Sequence, residues 1–298
     1  MIQRVFSATR PSLQDEAEAL SSALPPLLVE AERLASAISL GIHGRRKAGM
    51  GESFWQFRRF RAEDPSTAID WRQSAKSQHL FVREREWEVA QSVWFWRDGS
   101  AGMRFASGNV SKRDRASLLA LALASALVRG GERVALFGEG HAPASSRAAL
   151  RRMAYALGDD RLSNNALPPE APVSRNAQFV WLSDFLSPMT AIEAALRRMT
   201  QSGSSGYLVH IIDPAEEDFP YEGRTRFEAP GEDLRETIGR AEMVGPAYRT
   251  RFKAHGEAVA MLSGKLGWTY LAHRTDRPPQ TALIALYAEM SGASRARI

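Results

Sequence analysis

From residue 89 onward, short apolar runs alternate with amphipathic stretches, and that alternation restricts the possible fold more than any other feature of the chain. VAQSVWFW, ERVALF, QFVWLSDF and YLVHIID read as buried strands. Between them the spacing predicts three helices. One opens at Ser111 with Asp114 in its first turn and closes at Gly130-Gly131, one covers Ser145 to Leu157, and one covers Pro188 to Met199. Strands that are apolar on both faces must be covered on both, so the pattern calls for a mostly parallel sheet between two helical layers. After Asp213 the reading is a loop, an edge strand within GRTRFE and helical sequence from about Asp233 to Leu266. A strand in WTYLAH and a last helix from Pro279 to Met290 follow.

The amino-terminal third is organised differently. Leu13 to Leu40 has helical composition interrupted at Pro25-Pro26, and Leu27, Leu28, Ala31, Leu34, Ala35 and Ile38 then fall at spacings of three and four. Such an apolar stripe needs a partner surface. The following segment is irregular and strand-rich, and Gly51 to Met103 holds five of the seven tryptophans. Large amphipathic rings at that density point to packing or binding, and Trp71 is expected to be substantially buried. The expected organisation is a helix and basic strand-rich segment over residues 1–87, packed on a main domain over 88–298.

The formal net charge of +5 is local: His43 to Arg85 carries ten Lys or Arg against five Asp or Glu, so the rest of the chain is balanced. A basic patch suits nucleic acid, anionic lipid or an acidic protein. Here the cations alternate with aromatics and carboxylates, which favours internal pairing; Asp70 and Glu84 are expected to pair with nearby arginines, and no nucleic-acid partner is expected. If the patch docks a partner, Arg58, Arg59, Arg61 and Arg72 are its candidate contacts. A metal nuclease built on Asp70, Glu84 and Glu86 is disfavoured by the same pairing.

Several function classes have no footing. Without cysteine there are no disulfides and no thiolate metal sites. No apolar run reaches membrane-spanning length and the amino terminus lacks a signal-peptide pattern, so the expected location is cytoplasmic. The six histidines lack the spacing of a helical zinc site, Gly49-Met50-Gly51 is no dinucleotide fingerprint, and there is no Walker A loop.

The chemistry-bearing residues lie where strands end. Asp98 follows VWFWR and Asp184 follows VWLS, and Ser100 lies on the turn DGSAG. Sites in parallel sheets form beyond the carboxyl ends of strands. Two carboxylates and a hydroxyl there suit magnesium or another hard divalent cation, with water or a partner's carboxylate completing its shell. Alternatively, both aspartates cap the turns that follow them.

Asp98-Gly-Ser-Ala-Gly-Met resembles the von Willebrand factor A metal-site motif, aspartate-x-serine-x-serine, with Asp184 in the place of that fold's distal aspartate. Upstream, Phe57, Arg58, the Asp64 loop, Ile69-Asp70-Trp71, Ala75, Val82-Arg83-Glu84 and Glu88 recur in the order and spacing of a bacterial family, domain of unknown function 58. The resemblance covers about Gly41 to Asp276. It implies a three-layer, von Willebrand A-like (Rossmann-like) α/β fold and a non-enzymatic adaptor role beside a MoxR-type AAA+ ATPase acting on a client protein. Gly102 replaces the second serine of the motif, so one hydroxyl ligand is missing, and only Ser145 and Ser146 are candidates for its distant threonine. A weakened metal site and a metal-free docking scaffold therefore both stand. The enzyme rival is a serine hydrolase in the chain order Ser100, Asp184, His273, opposed by Asp98 where a nucleophile elbow needs glycine.

Overall fold

The computed structural model describes residues 26–43, 54–61, 64, 66–85, 91–159, 165–173, 176–231 and 235–290. They fall into two compact units: Leu40–Ala90, and Met1–Ser39 together with Gln91–Ile298.

In the larger unit, helix α1 (Pro26–His43) starts at the second proline of the Pro-Pro pair and buries Leu28, Ala31, Leu34 and Ala35. The partner surface required by that stripe includes the end of a second helix, whose Arg129 donates to Ser36 Oγ at 2.9 Å. Ile38 lies outside the residues whose side chains are described, as do Trp55 and Trp87.

The smaller unit contains β1 (Phe54–Arg59), the one-turn helix α2 (Trp71–Ser74) and β2 (Phe81–Arg85), with β1 and β2 antiparallel. Among the described residues, Ile69 and Val82 are its buried apolar ones, and Ser74 Oγ ties the turn together by accepting from the Phe81 amide. Trp71 corrects the sequence expectation: it is 65% exposed, because it opens a single turn whose outer side packs against nothing described. Asp70 differs from expectation too. Its Oδ1 caps that turn by accepting from the Gln73 amide at 2.9 Å, and among the described residues no arginine pairs with it. The Glu84 side chain and Glu86 lie outside the described residues.

The main sheet has five parallel strands: β3 (Ser92–Arg97), β4 (Arg133–Leu136), β5 (Gln178–Ser183), β6 (Ser205–Ile212) and β9 (Thr269–Arg274), in the spatial order β4-β3-β5-β6-β9. This is a doubly wound, three-layer α/β arrangement of the von Willebrand A-like type. One face carries α3 (Lys112–Arg129) with α4 (Arg147–Gly158) and α8 (Pro279–Met290). The other carries α5 (Met189–Gln201) and α7 (Ala241–Lys265). Helix α3 is buried on every side from Ala116 to Leu127, which is why its sequence is apolar all round rather than striped. On the opposite face Phe179, Trp181, Ile192, Leu196, Val259 and Trp268 form the core.

Between β6 and α7 the chain departs from the sequence reading. Thr225–Glu228 (β7) joins no edge of the main sheet; it pairs with Arg235–Ile238 (β8) as a separate antiparallel ribbon, and α7 starts only at Ala241. Thr237 and Ile238 favour a strand and Gly239 interrupts any helix there, so local propensity outweighs the helical composition of the surrounding stretch.

Candidate functional site

In the larger unit, β3 has β4 on one side and β5 on the other, so the chain's winding reverses between β3 and β5. That reversal opens a crevice beyond the carboxyl ends of these strands. Asp98 follows β3 and Asp184 follows β5, and the Asp98 amide donates to Leu182 O at 2.9 Å across the pair. The fold therefore brings both acids to neighbouring strand ends, nearly buried at 1% and 4% exposure.

Asp98 is held by the turn it starts. Its Oδ1 accepts from the Ser100 amide at 2.7 Å and its Oδ2 from Ser183 Oγ at 2.6 Å. Burial, reinforced by the negative charge of Asp184, pushes its carboxyl up to about 6, against the pull of these hydrogen bonds. Asp184 Oδ1 accepts from the Leu186 amide at 3.2 Å. The next residue, Phe185, is fully buried in a left-handed conformation (φ 51°), with its ring against Trp181 and His210. A bulky residue in that region is strained, and the packing that holds it there also fixes the Asp184 turn.

Asp184 Oδ2 engages a cation from this chain. Lys112 Nζ lies 2.8 Å away, with the lysine wholly buried, and its second partner is Glu216 Oε1. Burial works against the ammonium, yet Asp184 and Glu216 outweigh it, and Lys112 titrates above the ordinary lysine value. Glu216 is the third helical residue of α6 (Pro214–Asp218) and half of its capping box, whose other half, the cap residue Asp213 just after β6, also accepts from the Ser107 amide at 2.9 Å. Lys112, Glu216, Asp213 and Ser107 were not identified from the sequence. The available signals were that YLVHIID, like the two strands already noted, ends in aspartate, and that a lysine at the start of a helix opposes the helix dipole unless an anion holds it.

The motif turn is equally informative at Gly102. A Cβ built there would lie 3.1 Å from Asp184 Oδ2 and 3.9 Å from Ser100 Oγ, so glycine lets the turn approach the carboxylate closely. Ser146, one candidate for the missing ligand, caps α4 through the Ala149 amide, and Ser145 beside it is exposed. The loop at Asn165 is what meets the motif turn, its carbonyl accepting from the Gly99 amide.

With Lys112 in place, these residues do not fit a divalent cation. One motif hydroxyl is absent, both Asp98 oxygens take donors from the protein, and the Asp184 oxygen faces an ammonium. Among the described residues no three carboxylates or imidazoles are arranged to hold a metal. The hydrolase arrangement is not assembled either. His273 lies on β9, three strand spacings from β3, or about 14 Å, which leaves Ser100 without that base.

Beside the acids, a cleft of about 600 Å³ opens from Gly102 and Glu216 toward the β7-β8 ribbon and the start of α7. Phe105, Leu186, Tyr221 and Phe227 line it, with Phe219 packed 4.8 Å from Tyr248, centroid to centroid. The candidate arginines lie in the smaller unit. Arg59, Arg61 and Arg72 are exposed, and Arg58 is on β1 opposite Val82, with its side chain outside the described set.

Among the described residues, no helix is long and apolar enough to cross a membrane. A family model described as "Protein of unknown function DUF58" matches residues 56–258. The chain is 26% identical over 279 residues to the uncharacterized proteins Rv1480 of Mycobacterium tuberculosis H37Rv and Mb1516 of Mycobacterium bovis, spanning 87% of this chain and 86% of each relative. Solved structures similar to it include an aerotolerance-related membrane protein from Bacteroides fragilis (16% identity, TM-score 0.43) and the conserved hypothetical protein BatB from Bacteroides thetaiotaomicron (14%, 0.42). Each match spans 68% of this chain and 99% of the other.

Proposed function

The chain belongs to the DUF58 family, and from the site it carries we propose that it is a non-enzymatic adaptor that docks a partner protein on the carboxyl-terminal rim of its main sheet. The observation that carries this reading is the aromatic cleft that shares Gly102 and Glu216 with the acidic rim. Apolar surface of that extent beside fixed charges suits a protein segment, with the cleft supplying burial and the rim supplying orientation. The family resemblance makes a MoxR-type AAA+ ATPase the partner to test, with the adaptor presenting a client to it. A chain without a nucleotide-binding loop fits that division of labour.

A second reading places docking on Arg58, Arg59, Arg61 and Arg72. It is favoured by the exposure of Arg59, Arg61 and Arg72 on the smaller unit. The two readings separate in a pull-down with a MoxR-type ATPase from the same organism, trapped in its ATP-bound state. The rim reading expects Phe227→Asp to abolish capture while Arg59→Glu/Arg61→Glu/Arg72→Glu retains it. The opposite pattern moves docking to the arginines, and capture unaffected by both variants refutes both.

A further inference from the structure

A lysine at the first position of a helix, wholly buried, is a costly placement: the helix dipole and desolvation both oppose its charge. The residues around it are built to offset that cost. Asp184 reaches Lys112 Nζ from just beyond β5 at 2.8 Å, and Glu216 reaches it from α6, the short helix that follows β6. Both carboxylates are aimed by backbone donors on their other oxygens, Asp184 by the Leu186 amide and Glu216 by the Asp213 amide at 3.1 Å. The ammonium thus joins the segments that follow β5 and β6 beside the motif turn, in contact with the very aspartate that a divalent ion would need.

We propose that the Lys112 ammonium is the resident cation of this rim, doing for Asp184 and Glu216 the charge-balancing that a divalent ion does in the motif this turn resembles, and thereby excluding such an ion. The substitution and the missing hydroxyl belong together. Once a tethered cation neutralises Asp184, a serine at position 102 would have no ion to ligate, and the glycine there leaves the carboxylate unobstructed. One consequence concerns the docking partner. With no metal offering an open coordination position, a partner carboxylate gains nothing at Asp98 and Asp184, and hydrogen-bond donors or cations suit the rim better. The metal-exclusion inference stands independently of whether the rim docks a protein at all.

The test is a manganese titration followed by electron paramagnetic resonance. Wild type is expected to show no saturable binding at millimolar metal. Lys112→Met is expected to bind one equivalent and to lose it again when Asp184→Asn is added. Wild-type binding that disappears in Asp98→Asn would overturn the proposal, as would a folded Lys112→Met that binds nothing. Should Lys112→Met not fold, the wild type still decides: backbone amide resonances of Ser100 and Leu186 that stay sharp in excess manganese support metal exclusion, and selective broadening of them contradicts it. Lys112→Arg, which keeps the charge, should also exclude manganese; one bound equivalent would count against the proposal.

Discussion

Asp98 is the residue at which stability and site conflict. Its carboxyl titrates near 3.8 when unfolded and at about 6 in the folded chain, so between those values the folded state holds the extra proton and stability is lost as pH rises. At 1.36 kcal/mol per unit, the ionised group costs about 3 kcal/mol above pH 6. Asp98→Asn preserves an acceptor for the Ser100 amide, so denaturant melts should show it more stable than wild type at pH 8 and indistinguishable below about pH 4. A stability change of the same size at both pH values would mean that the effect is packing rather than charge. Asp70 is simpler: having a capping role instead of an ion pair, Asp70→Ala should destabilise the smaller unit by only about 1 kcal/mol. A loss of several kcal/mol would require a partner beyond the cap. Both acids were legible as candidates from sequence, but their partners were not, because hydrogen-bond partners come from strand ends distant in the chain or from local turn geometry that composition does not encode.

Among the elements, α3 joins the site to the core. Its middle is buried on all sides and its first residue supplies the cation, so loss of Lys112 leaves Asp184 and Glu216 facing each other without a counter-ion. Lys112→Met should therefore cost about 3–5 kcal/mol in thermal or chemical denaturation. A loss below 1 kcal/mol would mean that the two acids are satisfied without it. The helix itself was readable from its Ser111 cap and glycine stop, and the parallel strands from their apolar runs. Of the β7-β8 ribbon, β7 was readable as a strand within GRTRFE, but β8 and its pairing with β7 were not, because its few residues of strand propensity stood inside a longer stretch of helical composition. Trp71 departs from its expected burial for a related reason: an aromatic ring signals burial only if something packs on it, and a one-turn helix offers little cover.

For the whole molecule, two buried histidines contribute to the response to acid. Burial holds His210 and His273 at about 4, against 6.5 in the unfolded chain, so the unfolded state takes up protons first as pH falls. Their stabilisation is complete above pH 6.5 and is lost between there and about 4, opposing the trend from Asp98 within the shared window. Nε2 of His273 has no hydrogen-bond partner among the described residues, so His273→Leu should flatten the acid limb of the stability curve without weakening the fold at pH 7. An unchanged limb would place the acid sensitivity elsewhere. The large-scale architecture was the part most legible in the sequence, since periodicity and strand-end acids directly reflect the sheet. The aromatic cleft was invisible there, because Phe105, Leu186, Phe219, Phe227 and Tyr248 converge from five separate segments. Docking at that cleft is tested most directly by placing a photo-crosslinking residue at position 186, at the cleft, and separately at position 72, on the arginine face, with a MoxR-type ATPase held in its ATP-bound state. Crosslinks from position 186 and none from position 72 are the expected result; crosslinks from position 72 alone, under conditions where the complex forms, would contradict it.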